Sequence, residues 1–165
     1  MLDDSVIFLD FEAASLQGWP VEIGLSWLAE GKVRTWASLI RPRPDWSDDL
    51  WDPAAEKIHG ICRAMLDEAP SADQIAAEVL SRISDRILVS DAPEFDARWL
   101  EWLTGERIEV ELFGVFAFKT VSSRGLPPLF DRLARLKVPH RAGPDSARLA
   151  KAWHHGLRAS GTGLD

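Results

Sequence analysis

The sequence predicts an α/β fold, a mixed sheet flanked by helices, on three observations. Apolar segments of strand length open the chain, two of them on either side of a Gly-containing turn; helical and strand periods then alternate; and two helical stretches close it. A hairpin followed by alternating helix and strand fits a sheet with both antiparallel and parallel neighbours, rather than an all-parallel one.

Val6 to Phe11 is a short apolar run of strand length. Val21 to Leu28 and Lys32 to Ile40 alternate around the turn at Glu30-Gly31. Arg41 to Pro53, with three prolines and several acids, reads as an exposed loop. Its Trp46 and Trp51 either pack the loop down or face a ligand, and packing is the expected use. Ser71 caps a helix running to about Asp85, and Arg86 to Ser90 supplies a fourth strand. Pro93 suits the first turn of a helix reaching Leu103. Ile108 to Leu112 is a fifth strand, followed by helices near Leu126 to Leu136 and Pro144 to Leu157. Internal repeats and low-complexity tracts are absent from the sequence.

A chain of 165 residues is long enough for one sizeable core and too short for two ordinary domains, so residues 1–165 read as one domain. With 46% hydrophobic and 27% charged residues the composition is that of a soluble globular protein. No stretch approaches the ~20 apolar residues of a membrane span. The start, Met1-Leu2-Asp3-Asp4, lacks the basic region of a secretory signal, and the single cysteine, Cys62, has no internal disulfide partner. Both point to a reducing, cytoplasmic setting and away from zinc or thiol chemistry built on clustered cysteines.

The net charge of -7 would repel nucleic acid if it were evenly spread. From Phe113 onward, however, nine basic residues stand against three acids. That asymmetry permits a basic surface beside an acidic site neutralised by cations; the plainer alternative is a solvated helical surface.

Several acids occupy positions where apolar residues belong. In a strand, Val6, Phe8, Asp10 and Glu12 share one side while Ile7, Leu9 and Phe11 share the other, so two acids continue an apolar face. Asp96 shares a helical face with Trp99, Leu100 and Leu103, opposite Glu94, Arg98 and Glu101. Burying an unpaired carboxylate costs several kcal/mol, so such an acid needs a cation, an arginine or several donors beside it. Asp145 follows Pro144 in the first turn of the last helix and aligns with Leu149, Ala152 and Gly156. The helix dipole accounts for its place along the axis, but not for its inward face. His140 stands five residues earlier in a Pro- and Gly-containing loop, where an imidazole can stay partly exposed and titrate near neutrality.

Together these residues resemble the DEDDh 3′-to-5′ exonucleases, the group that includes proofreading exonucleases, ribonuclease T and oligoribonuclease. The resemblance spans nearly the whole chain. Ile7-Phe8-Leu9-Asp10-Phe11-Glu12 looks like the first motif and Pro20-Val21-Glu22-Ile23-Gly24 like the strand after it. Ile58-His59-Gly60-Ile61 is similar to a segment the family carries near the 3′-terminal nucleotide. Val89-Ser90-Asp91-Ala92-Pro93-Glu94-Phe95-Asp96 resembles the second motif, and His140-Arg141-Ala142-Gly143-Pro144-Asp145 the third. Ala13 replaces a frequent Thr, Ser90-Asp91 a common His-Asn pair, and the segment after Ile108 lacks the usual Asp-Thr pair. These departures bear on substrate preference and rate.

The resemblance implies a ribonuclease-H-like mixed five-stranded sheet flanked by helices, and hydrolysis of single-stranded RNA or DNA from the 3′ end to nucleoside 5′-monophosphates. It implies two Mg²⁺ or Mn²⁺ as cofactors, with Asp10 shared between them, Glu12 and Asp145 on the first, and Asp96 on the second. Oxygen-rich ligands without cysteine favour those hard ions over zinc. His140 would act as general base on the attacking water. Phe11, Ala13, Leu16 and His59 match family positions near the terminal sugar and base. No membrane partner is expected, and a homodimer is compatible with the sequence. The alternatives are a non-catalytic nucleic-acid-binding module of the same fold and a hydrolase of dinucleotides or small diesters.

Overall fold

Val6–Ala13 forms β1, and the alternation of its side chains divides the interior in two. Ile7, Leu9, Phe11 and Ala13 enter one core with Ile75, Val79, Leu100 and Leu103. Val6 and Phe8 enter the other with Phe113, Phe116, Leu149 and Trp153. Both faces of β1 are therefore covered, which its near-continuous apolar sequence requires. The computed structural model describes residues 5–161; the start of the chain read for a leader, residues 1–4, and Asp165 of the charge count lie outside them.

β2 (Pro20–Ala29) and β3 (Lys32–Leu39) form the antiparallel hairpin expected around Glu30-Gly31. Both turn residues take positive φ, 52° and 68°, the conformation that matches a two-residue turn to the twist of its strands. β2 runs antiparallel to β1, while β4 (Ile87–Ser90) runs parallel to β1 and to β5 (Val110–Leu112). The sheet order is β3-β2-β1-β4-β5, a mixed five-stranded sheet.

Six α-helices lie among the described residues. α2 (Ala72–Ile83) and α3 (Pro93–Thr104) cover the first face; α4 (Phe113–Thr120), α5 (Leu126–Arg135) and α6 (Ala142–Ala159) cover the second. Ser71 caps α2 through a reciprocal pair with Gln74, and Pro93 opens α3. α1 (Pro53–His59) occupies a stretch to which the sequence assigns no element. The Asp52 side chain accepts from Ala54 N at 2.8 Å at its start, and Gly60, at φ 71°, ends it after seven residues, too few for a period to show. α4 is likewise unexpected: its Phe- and Gly-rich sequence has modest helix propensity, and burial of Phe113, Phe116 and Ala117 at helical spacing supplies what propensity does not.

The loop between β3 and α1 is packed down by its tryptophans. Trp46 stacks on Trp19 at 6.0 Å between ring centres, and Trp51 lies 5.6 Å from the same ring. Among the described residues no helix is long and apolar enough to cross a membrane.

Candidate active site

Where β1 leaves its hydrophobic neighbours, its α6-facing side passes from Val6 and Phe8 to Asp10 and Glu12. The start of α6 is pressed against β2 beside them. A Cβ on Gly24 would lie 2.1 Å from the Ala142 carbonyl oxygen, so only glycine permits this approach. Glu22, paired with Glu12 across the strands and 5% exposed, fixes the contact. It accepts from Arg141 Nε at 2.9 Å and Nη2 at 2.7 Å, and from Ala142 N at 2.9 Å. Asp145 is thereby delivered to the end of β1. Its Oδ2 accepts from Arg141 N at 3.1 Å, whereas Oδ1 is buried without a hydrogen bond.

Asp96 arrives from the other face, on the first turn of α3, and is 2% exposed. The Ser90 hydroxyl donates to its Oδ2 and itself accepts from Ala92 N at 2.9 Å. The Phe11 backbone also donates to Asp96.

Oxygens of Asp10, Glu12 and Asp145 lie within 4.8 Å of one another, and so do oxygens of Asp10, Asp91 and Asp96. Asp10 belongs to both groups. Asp91, absent from the expected ligands, joins the second group and is bound at 2.9 Å by Arg148, whose Nε lies 4.0 Å from Asp145 Oδ1. Burial, with repulsion from Asp96, Glu12 and Asp145, pushes the Asp10 carboxyl up to about 10. Burial and the charges of Asp145 and Glu22 push Glu12 up to about 8, with Arg141 opposing. Burial raises Asp96 to about 7 against the hydrogen bond from Ser90, and raises Asp145 against the Arg141 amide and the charges of Arg148 and His140. Carboxylate oxygens alone, one of them buried without a donor, form a set suited to a hard divalent cation.

The remaining expected residues are placed less uniformly. His140 is exposed at φ 54°, outside both oxygen groups but close enough for its charge to act on Asp145. Leu16 is 65% exposed in the turn after β1, where its carbonyl accepts from Arg98. Ala13 is buried, and the Phe11 ring packs on Trp99 at 6.4 Å, on the face opposite Asp10 and Glu12. His59 is buried, its Nδ1 accepting from Ile61 N at 3.0 Å while Nε2 has no well-formed hydrogen bond. Burial lowers its pKa.

No family model matches the chain, and no curated protein matches it significantly. Solved structures do. Exonuclease X in complex with 5′-overhanging duplex DNA is 21% identical, with a TM-score of 0.59 over 94% of this chain and 93% of that one. A 3′-exonuclease in a structure of 3′-end-specific recognition of a histone mRNA stem-loop is 16% identical, with a TM-score of 0.66 over 97% and 85%. Pop2p of S. pombe, with Mg²⁺ and Mn²⁺ bound, is 16% identical, with a TM-score of 0.62 over 98% and 86%. The chain has the ribonuclease-H-like fold of the DEDDh-type 3′-exonucleases.

Proposed function

We propose that this chain is a divalent-cation-dependent 3′-to-5′ exonuclease, one domain over residues 1–165, that releases nucleoside 5′-monophosphates from single-stranded RNA or DNA. The observation that carries the reading is the convergence of Asp10, Glu12, Asp96 and Asp145 from three separate elements, with the pKa of every one raised. Buried like charges destabilise a cation-free fold, and they become favourable once a cation is shared among them. Two of the structural neighbours are named as exonucleases, which supports the class of reaction, and the Mg²⁺ and Mn²⁺ bound to Pop2p support the use of divalent cations.

Two Mg²⁺ or Mn²⁺ are proposed, with Asp10 common to both, Glu12 and Asp145 completing one set, and Asp96 serving the other. When bound, such a pair supplies charge neutralisation and a water of lowered pKa for in-line displacement at the last phosphodiester. His140, on its exposed loop beside Asp145, takes the proton from the attacking water. Phe11, Ala13, Leu16 and His59 are the positions proposed for the terminal nucleotide: exposed Leu16 offers an apolar contact for a splayed base, whereas the buried Phe11, Ala13 and His59 would act through the backbone and packing they fix.

The test is a 5′-labelled single-stranded oligonucleotide incubated with Mn²⁺. A ladder shortening from the 3′ end is expected, with Asp10→Asn slower by about a thousandfold or more, a loss of ~4 kcal/mol in transition-state stabilisation. Binding without any shortening would instead identify a non-catalytic module.

A further inference from the structure

A cleft of about 300 Å³ lies between α5 and α6, lined by Arg132, Lys151, His154, His155 and Arg158. No acid lines it. Arg132, Lys151 and Arg158 are exposed and form no ion pair or side-chain hydrogen bond among the described residues. The arginines beside the acidic cluster, Arg141 and Arg148, are instead paired with Glu22 and Asp91. At ~100° and 1.5 Å per residue, the four α6 positions fall about 80–180° around the helix from Asp145 and about 9–20 Å along it. The cleft thus opens away from the carboxylates, beyond reach of a nucleotide held at them.

We propose that this cleft is a second nucleic-acid contact, holding backbone phosphates upstream of the terminal nucleotide; the inference rests on the exonuclease reading above. The chemistry selects the backbone over the bases, because the cleft presents two guanidinium groups and one ammonium, which pair with phosphate, and no Phe, Tyr or Trp for stacking. Three uncompensated cations crowded together repel one another in the free protein, and a polyanion relieves that repulsion. A chain of net charge -7 also needs a local attraction to hold a strand. The span along α6 corresponds to about three to six stacked nucleotides at ~3.4 Å each.

The experiment measures binding of a labelled single strand of about 20 nucleotides, without divalent cations, across ~50–200 mM salt. Lys151→Gln/Arg158→Gln is compared with wild type and with Lys32→Gln/Arg107→Gln, which removes the same charge outside the cleft. Two lost phosphate contacts make the log–log salt slope shallower by about 1.4 and weaken binding at low salt by roughly tenfold or more. The control pair is expected to keep the wild-type slope. An unchanged slope in the cleft variant overturns the proposal. So does inorganic phosphate that binds wild type as tightly as the strand and is lost in the cleft variant, since free phosphate would then be the ligand. Shortening of the strand with Mn²⁺ is scored in parallel. Shortening by wild type with an unchanged slope removes the cleft alone, whereas a shallower slope without shortening supports the cleft and removes the exonuclease reading.

Discussion

Asp96 sits on the apolar stripe of α3 with Ser90 donating to one of its oxygens, and that hydroxyl opposes the rise in pKa that burial imposes. Without it, Asp96 moves further up and is protonated in more of the molecules at neutral pH. Ser90→Ala is therefore expected to weaken Mn²⁺ binding at pH 7 by about tenfold, the worth of a hydrogen bond of ~1.5 kcal/mol to a charged group. The loss should shrink as the pH is raised to about 9, where Asp96 ionises even without its donor. A Mn²⁺ titration followed by thermal shift at both pH values checks this; an equal loss at each would mean structural damage instead. Asp96 was legible in the sequence because an acid centred between Trp99, Leu100 and Leu103 has no solvent to face. Ser90 and Asp91 were legible only as departures from a common pair, and their contacts depend on where α3 and α6 dock. Glu22 was not legible as a site residue at all. Alternating with Val21 and Ile23, it has the pattern of a solvent-facing strand position, and the start of α6 covers that face instead.

α6 reaches the site through backbone contact, and Gly24 sets the distance. A methyl group there would lie 2.1 Å from Ala142 O and 2.5 Å from Gly143 N, both backbone atoms that cannot rotate aside. Gly24→Ala is expected to cost about 1–3 kcal/mol by overpacking. Because Asp145 travels with the start of α6, activity should fall further than stability, by about a hundredfold for a displacement near 1 Å. Chemical denaturation and exonuclease rate, measured on the same preparation, separate the two effects; a variant with native activity would show that this contact does not position Asp145. At this scale the hairpin, α2 and α3 were readable because turn residues and caps act locally: Glu30-Gly31, Ser71 with Gln74, and Pro93. α1 and α4 were not readable. One is too short for periodicity, and the other is held by Phe113 and Phe116 against Phe8 and Trp153, contacts that exist only in the folded chain.

For the molecule as a whole, the acidic cluster makes stability depend on pH and on cations in opposite directions. Asp10, Glu12 and Asp96 have folded-state values of about 10, 8 and 7, all above the ~4 expected in the unfolded chain. The folded form therefore binds more protons across this interval, and stability falls as pH rises. Their contribution is fully present below about pH 4 and is lost as the pH passes upward through the folded values. Other carboxylates titrate over part of the same range, so the informative quantity is the difference between wild type and Asp10→Asn, which removes the group whose ionisation burial and its acidic neighbours oppose most. Without cations, the melting temperature of wild type should drop relative to Asp10→Asn as pH goes from about 4 to 8. Saturating Mn²⁺ should reverse the order at pH 8. At about a hundred times the dissociation constant a bound ion stabilises by ~2.7 kcal/mol, or roughly 5–10 °C for a chain of this size. Asp10→Asn should lose most of that gain, because Asp10 is the carboxylate common to both oxygen groups. A wild-type melting temperature that holds steady against the variant across this pH range and ignores Mn²⁺ would mean that the converged carboxylates are not a cation site.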